Sequence, residues 1–274
     1  MDETPASRPA GGVEDVDLRE LLTVERIEQD LFRSTTVVRE EHALYGGQVA
    51  AQALMSAGAT VDPARRPHSL HGYFLRPGDP LLPIVFTVYR DRDGRSFSAR
   101  RVVAIQHGKV IFNMAASFHV GRSTSSAQAE PMPDVAPPEA CNSYVLSRLC
   151  SFECRVPLQP HPGTVWPTRF WARAAVPLLD DPLLHAGVLT YLSDISTGVL
   201  PSRGGSERPG ASVDHAVWFH DRADLTYWVL SDYQPRFVGS GRGCYSGSVF
   251  TRDGRLVASI AQEALYGSPG SSPG

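Results

Sequence analysis

The sequence has no long hydrophobic run: nowhere in its 274 residues does an apolar stretch approach the ~20 residues a helix needs to cross a bilayer. Its first residues, MDETPASRPAGGVEDVD, are acidic and rich in Pro and Gly, and they lack the apolar core of a secretory signal. Neither sign of charge dominates. With 26 basic and 29 acidic residues the net charge is −3, which excludes a whole-protein pull toward nucleic acid or an anionic membrane. Cysteine is scarce: Cys141, Cys150, Cys154 and Cys244 make no disulfide framework, and Cys150-x3-Cys154 has no second ligand pair at metal spacing. These read as the thiols of a cytoplasmic protein. There is no Gly-x-Ser-x-Gly elbow, no P-loop and no dinucleotide fingerprint, so no metal or other cofactor is expected. What remains is a globular composition, 42% hydrophobic and 20% charged, long enough for one large domain or two ordinary ones.

What is present is a repeat. After Gly46-Gly47 comes a helix with little bulk, carrying Ala50, Ala51, Ala53 and Ala57. Small residues on several faces mark a helix that other backbone approaches closely. Strand-like segments follow at 67–75, 84–90, 96–105 and 110–120, with an Asp-Gly hairpin signal at Asp93-Gly94. Residues 121–140 turn rich in Ser, Pro and Ala and read as linker, and 142–154 as a short helix. A second pass begins at 165–175. Asp181-Pro182 opens a helix, and strands follow around 211–220, 228–232, 243–250 and 256–266, the last two about Asp253-Gly254. The two passes superimpose at near-constant offsets: His71 onto His215 (215 − 71 = 144) and Ala116 onto Gln262 (262 − 116 = 146). The expected organisation is a tail at 1–17, a unit at 18–120, a linker at 121–164, a unit at 165–266 and a tail at 267–274. Each unit is a helix wrapped by an antiparallel sheet, an α+β fold.

The halves differ where chemistry could enter. Asp214 stands in an apolar strand where the first unit has Leu70, and Gln262 interrupts the row Leu256, Ala258, Ile260, Ala264 where the first unit has Ala116. On a two-residue period Asp214, Ala216, Trp218 and His220 share a face. Asp181 and Asp194 read as caps or helix-surface charges, and His71, His215 and His220 as hydrogen-bonded structural histidines. Arg76, Arg100, Arg101 and Arg242 are candidates for phosphate contacts.

Five stretches in order carry a resemblance: Tyr45 to Leu54 (YGGQVAAQAL), His68 to Asp79 (HSLHGYFLRPGD), Asp93 to Arg101 (DGRSFSARR), Ala211 to His220 (ASVDHAVWFH) and Ala261-Gln262-Glu263. Together they make the chain resemble the acyl-CoA thioesterase II family, the double-hotdog thioesterases, over roughly 21–266. The resemblance implies two tandem hotdog units and a cytoplasmic enzyme that hydrolyses acyl-CoA thioesters without a cofactor. It also implies a water positioned by an Asp, a Gln and a Ser or Thr. Asp214 matches the Asp and Gln262 the Gln, with substrate contacts expected at Gly47, Gln48, Arg236 and Trp218. Where the hydroxyl is expected, near Pro235 and Arg236, the chain reads Gln234-Pro-Arg-Phe-Val238. That departure keeps open an alternative: acyl transfer or another modification on coenzyme A or an acyl carrier protein, or thioester binding without hydrolysis. Association into a homodimer or larger assembly is expected.

Overall fold

The computed structural model describes residues 16–36, 43–121, 125–146, 149–161, 163–164, 166–200 and 208–267. In chain order the elements are α1 (Leu18–Leu22), β1 (Val24–Glu28), β2 (Leu31–Ser34), α2 (Gly46–Gly58), β3 (Arg66–Phe74), β4 (Val85–Asp93), β5 (Phe97–Gln106) and β6 (Lys109–His119). Then come β7 (Asn142–Tyr144), β8 (Phe152–Val156), β9 (Arg169–Ala174), α3 (Pro182–Ser193), β10 (Arg208–Ser212) and β11 (Asp214–Phe219). The chain closes with β12 (Val229–Gly239), β13 (Arg242–Thr251) and β14 (Leu256–Gly267). One sheet runs β1-β2-β4-β5-β6-β3-β11-β14-β13-β12-β9-β8-β7, with β10 paired to β14.

The repeat explains the seam at the middle of this sheet. Across β3 and β11, His71 lies opposite Ala216 and Gly72 opposite His215. With an offset of 144 (71 + 144 = 215, 72 + 144 = 216), each residue pairs with the counterpart of its neighbour, the signature of an internal two-fold axis. The two hotdogs thus share one continuous sheet, and each wraps its own helix.

The helices lie antiparallel against each other. A Cβ on Gly47, in the first turn of α2, would sit 2.5 Å from the carbonyl oxygen of Tyr191 near the end of α3. Only a helix made of small residues allows that approach, which is why nearly every position of α2 from Gly47 to Ala57 is buried. The Tyr45 hydroxyl donates to the same Tyr191 carbonyl (2.8 Å), tying the start of α2 to the end of α3.

Two sequence expectations are corrected. The segment 142–154 holds no helix among its described residues but β7 and the start of β8, whose Asn142 and Ser143 pair with Val156 and Arg155. The segment after Gly121 is no loose connector in its described part. Met132 and Val135 pack on Trp171, Leu230 and Phe250, and the Trp171 indole donates to the Ala136 carbonyl (3.0 Å). Trp171 and Leu230 are cross-strand neighbours, so this strap covers the outer face of the second unit.

The far end of α2 is clamped by Arg100, whose side chain is 1% exposed. Its Nε donates to Thr60 Oγ1 (2.8 Å) and its Nη2 to Thr60 O (3.1 Å) and Asp93 Oδ1 (2.8 Å). Replacing it removes charge-assisted bonds that nothing else supplies there, so Arg100→Leu is expected to cost about 2–3 kcal/mol. Urea unfolding measures this directly; an unchanged midpoint contradicts the clamp.

Candidate active site

The antiparallel helices bring the C-terminal end of α3 to the N-terminal end of α2. Asp194 is the residue that caps α3, and it is 1% exposed. A carboxylate at a helix C-terminus meets the negative end of the helix dipole, an unfavourable place unless other groups compensate. Here they do. Asp194 Oδ1 accepts from Ser212 Oγ (2.9 Å) and from Gln262 Nε2 (2.5 Å), and Gln262 Nε2 also donates to Ser212 Oγ (2.6 Å). The other oxygen, Oδ2, faces Gly46 so closely that a Cβ there would collide with it. The carboxylate therefore sits beside the first-turn N–H groups of α2, which have no intrahelical acceptor and favour negative charge.

The amide of Gln262 is oriented by its other neighbour. His215 is fully buried, with Nδ1 2.6 Å from Gln262 Oε1 and Nε2 2.8 Å from Ser193 Oγ. An amide oxygen only accepts, so Nδ1 carries the proton and Nε2 takes the Ser193 hydroxyl. Burial depresses the His215 pKa to about 4, opposed by the hydrogen bond to Gln262. The ring is neutral at pH 7, and its tautomer points the Gln262 NH2 group at Asp194 and Ser212.

Asp194 and Ser212 line a cavity of about 750 Å³, with Gly46, Val49, Phe74, Ile111, Phe112 and Trp166 among its walls. That volume lies within the range of small-molecule sites. Arg76 stands at its edge, exposed, its Nη1 bonded to the Val110 carbonyl (2.7 Å).

The sequence-predicted residues fall on both sides of the sheet. Gln262 is in the cluster. Asp214 is not: its Oδ1 accepts from the Glu263 N–H (2.7 Å), its Oδ2 lies 3.7 Å from His71 Nε2, and it does not line the cavity. The reason is a β-bulge. Ser212 is opposite Ala264 (212 + 264 = 476), but Ala216 is opposite Ala261 (216 + 261 = 477), so one extra residue intervenes. Ser212 and His215, three apart, both face the helices, and Asp214 turns outward to satisfy the amide of Glu263. Pro235 and Arg236 bring no hydroxyl to the cluster, whose one hydroxyl bonded to Asp194 and Gln262 is that of Ser212 among the described residues. Arg236 bonds Ser246 Oγ (2.8 Å) on an exposed stretch of β12, and Trp218 is 42% exposed on the outer face of β11. Gly47 is packed against Tyr45 and Tyr191, and Gln48 is buried; the wall of the cavity is their neighbour Gly46. Arg100 is the buried clamp, and Arg101 lies over the Tyr89 ring, 4.2 Å from its centroid. Arg242 pairs with Glu263 (3.1 Å). Sequence reasoning missed Asp194 and Ser212. The legible signal was an acid directly after an apolar helix, where a base belongs.

Two fused hotdogs bring a carboxylate and a hydroxyl to the wall of a cavity with an amide buried behind them, and no cluster placed to hold a metal occurs among the described residues. Residues 38–119 match the acyl-CoA thioesterase N-terminal domain and residues 126–266 the acyl-CoA thioesterase C-terminal domain, so the chain belongs to the acyl-CoA thioesterase family. It is 32% identical to human acyl-coenzyme A thioesterase 8, over 94% of this chain and 91% of that one. It is 34% identical to acyl-CoA thioesterase 2 of Haemophilus influenzae, over 91% and 96%. Among solved structures it resembles the acyl-CoA thioesterase II TesB2 from Mycobacterium marinum: TM-score 0.78, 38% identity, 93% of this chain and 99% of that one.

The depressed His215 pKa has a consequence for stability. The unfolded imidazole, with an ordinary value of 6.5, takes up its proton before the folded one. Its contribution is complete above pH 6.5 and is lost as pH falls through about 4. The loss is up to about 3 kcal/mol. Urea midpoints at pH 7, 5.5 and 4.5 should fall accordingly, and His215→Asn should flatten the fall.

Proposed function

We propose that this chain hydrolyses acyl-CoA thioesters with a water held and deprotonated by Asp194, Ser212 and Gln262. The observation that carries the reading is the set of hydrogen bonds that joins Asp194 and Ser212, in the wall of the cavity, to the buried Gln262 behind them, in a chain of this family. The thioester carbonyl is directed to the head of α2, and the acyl chain to the apolar wall of Val49, Phe74, Ile111 and Phe112. Asp194 accepts a proton from the water as its oxygen attacks the carbonyl carbon. The developing oxyanion is met by the first-turn N–H groups at Gly46 and Gly47. The C–S bond then breaks, the pair of electrons leaves with sulfur, and the proton on Asp194 passes to the thiolate. Ser212 Oγ accepts from the water's other O–H, and Ser212 and Gln262 keep Asp194 oriented. Arg76, at the rim, is the nearest candidate for the phosphates of coenzyme A.

The alternative of transfer or binding without hydrolysis rested on a missing hydroxyl. Ser212 supplies one, and hydrolysis is the reading the family favours. Choice between coenzyme A and an acyl carrier protein as the thiol is part of the proposal, in favour of coenzyme A. Further pairing of chains is proposed from the outer face of the first unit, where Tyr73 and Tyr89 are exposed and Trp218 joins them across the seam. No strap covers it among the described residues, and light scattering reads the assembly directly.

The test is thiol release and free acid, measured together over a panel of acyl-CoA substrates and one acyl carrier protein thioester. Equal amounts of thiol and acid are expected; thiol without matching acid contradicts hydrolysis. Ser212→Ala and Gln262→Ala are each expected to lower kcat on the order of 10²–10³-fold with little change in KM.

A further inference from the structure

The internal two-fold axis implies a second cavity, and one is present. It has a volume of about 320 Å³ and lies at the start of α3, as the hydrolytic cavity lies at the start of α2. The walls correspond at the offsets of the repeat. Arg66, Pro67 and His68 stand for Gly210, Ala211 and Ser212 (210 − 66 = 144), and Phe219 to Ala223 stand for Phe74 to Gly78 (219 − 74 = 145). His119 stands for Leu265 (265 − 119 = 146). The chemistry has been removed. The residue capping α2 is Ala59 where α3 has Asp194, His68 replaces Ser212, and Ala116 replaces Gln262. The carboxylate, hydroxyl and amide of the hydrolytic set are all absent from these three positions.

Hydrogen-bond accounting says what the cavity now suits. His185 lines it and is 3% exposed. Its Nδ1 accepts from the Leu225 N–H (3.1 Å), so the neutral ring carries its proton on Nε2. The carboxylate oxygen facing it, Asp224 Oδ1, is 3.8 Å away, beyond hydrogen-bond distance. The Nε2–H in the cavity wall therefore has a carboxylate nearby but no hydrogen-bond acceptor among the described residues. The acids around it are committed elsewhere. Asp180 pairs with Arg222, Asp221 with Arg255, Asp181 caps Leu183 N (2.9 Å), and Asp224 accepts from Thr226. Arg66, exposed at the rim, makes no hydrogen bond or ion pair with the described residues. The Arg66 side chain and the His185 Nε2–H are thus the donors left uncommitted over an apolar floor of Ala186, Leu189 and Phe219.

We propose that this counterpart cavity is a non-hydrolytic binding site for a short aliphatic carboxylate. The carboxylate accepts from His185 Nε2–H and meets Arg66, and the tail lies against Leu189 and Phe219. The free acid made by the hydrolytic reading is one source of such a ligand. The site itself stands without that reading.

Imidazole NMR of the full chain, titrated with hexanoate, tests this, because His68, His119 and His185 report the second cavity and not the first. Saturable shifts of these resonances are expected, with the affinity falling about tenfold or more in Arg66→Ala, the loss of one charge-assisted contact. Hexanol and inorganic phosphate are the controls. No saturable shift, an unchanged titration in Arg66→Ala, equal binding of hexanol, or binding of phosphate but not hexanoate each overturns the proposal. Thiol release should be the same in Arg66→Ala as in the parent. If the parent releases no thiol, the hydrolytic reading fails while the titration still decides this one; the melting temperature then reports that the variant is folded.

Discussion

The structure depends on the close antiparallel contact of α2 with α3. Small side chains on α2 let the two backbones meet, and Tyr45 bonds the Tyr191 carbonyl at the crossing. That contact is what sets the Asp194 carboxylate against the head of another helix. Alone at the end of α3 the charge would be unfavourable; beside α2, with Ser212 and Gln262 donating, it is compensated. A bulkier residue at Gly46 would occupy the space of Oδ2 itself. Packing and electrostatics are therefore one constraint, because the same missing Cβ serves both.

The duplicated fold uses this constraint once. Each unit offers a helix start, a facing helix end and two inward strand positions. Only one combination carries Asp, Ser and Gln. Its counterpart carries Ala59, His68 and Ala116, and a buried imidazole, His185, occupies its wall. The outer faces diverge as well: among the described residues, the strap with Met132 and Val135 covers the second unit and has no counterpart on the first. One chain thus presents two cavities with different chemistry and two sheet faces with different exposure.

Much of the fold was legible because its signals are local and agree with one another. The small-residue helix, the Asp-Gly hairpins at 93–94 and 253–254, and the near-constant repeat offset all point to two wrapped helices. Gln262 was legible because it breaks an apolar row on a regular strand. Asp214 misled for a physical reason. Its strand was read on an unbroken two-residue period, and the bulge between Ser212 and Ala216 resets the phase. Asp214 is an acid that caps the bulge, and Ser212, two residues earlier, is the inward group. Asp194 was passed over because its partners are 18 and 68 residues away in sequence, and only folding brings them together. Residues 142–154 misled because β7 is only three residues long, too short to show a two-residue period, and pairs with β8, Tyr144 opposite Cys154.

The central claim is that Asp194, and not the more conspicuous Asp214, activates the water. Thiol release from acyl-CoA by the parent, Asp194→Asn and Asp214→Asn, measured side by side, tests it most directly. The account expects Asp194→Asn to lose on the order of 10³-fold or more in kcat, as for loss of a general base together with its electrostatic field. Asp214→Asn should stay within about threefold of the parent once its stability is matched, since its charge only caps a bulge amide. The reverse order, with Asp214→Asn inactive and Asp194→Asn active, would contradict the account.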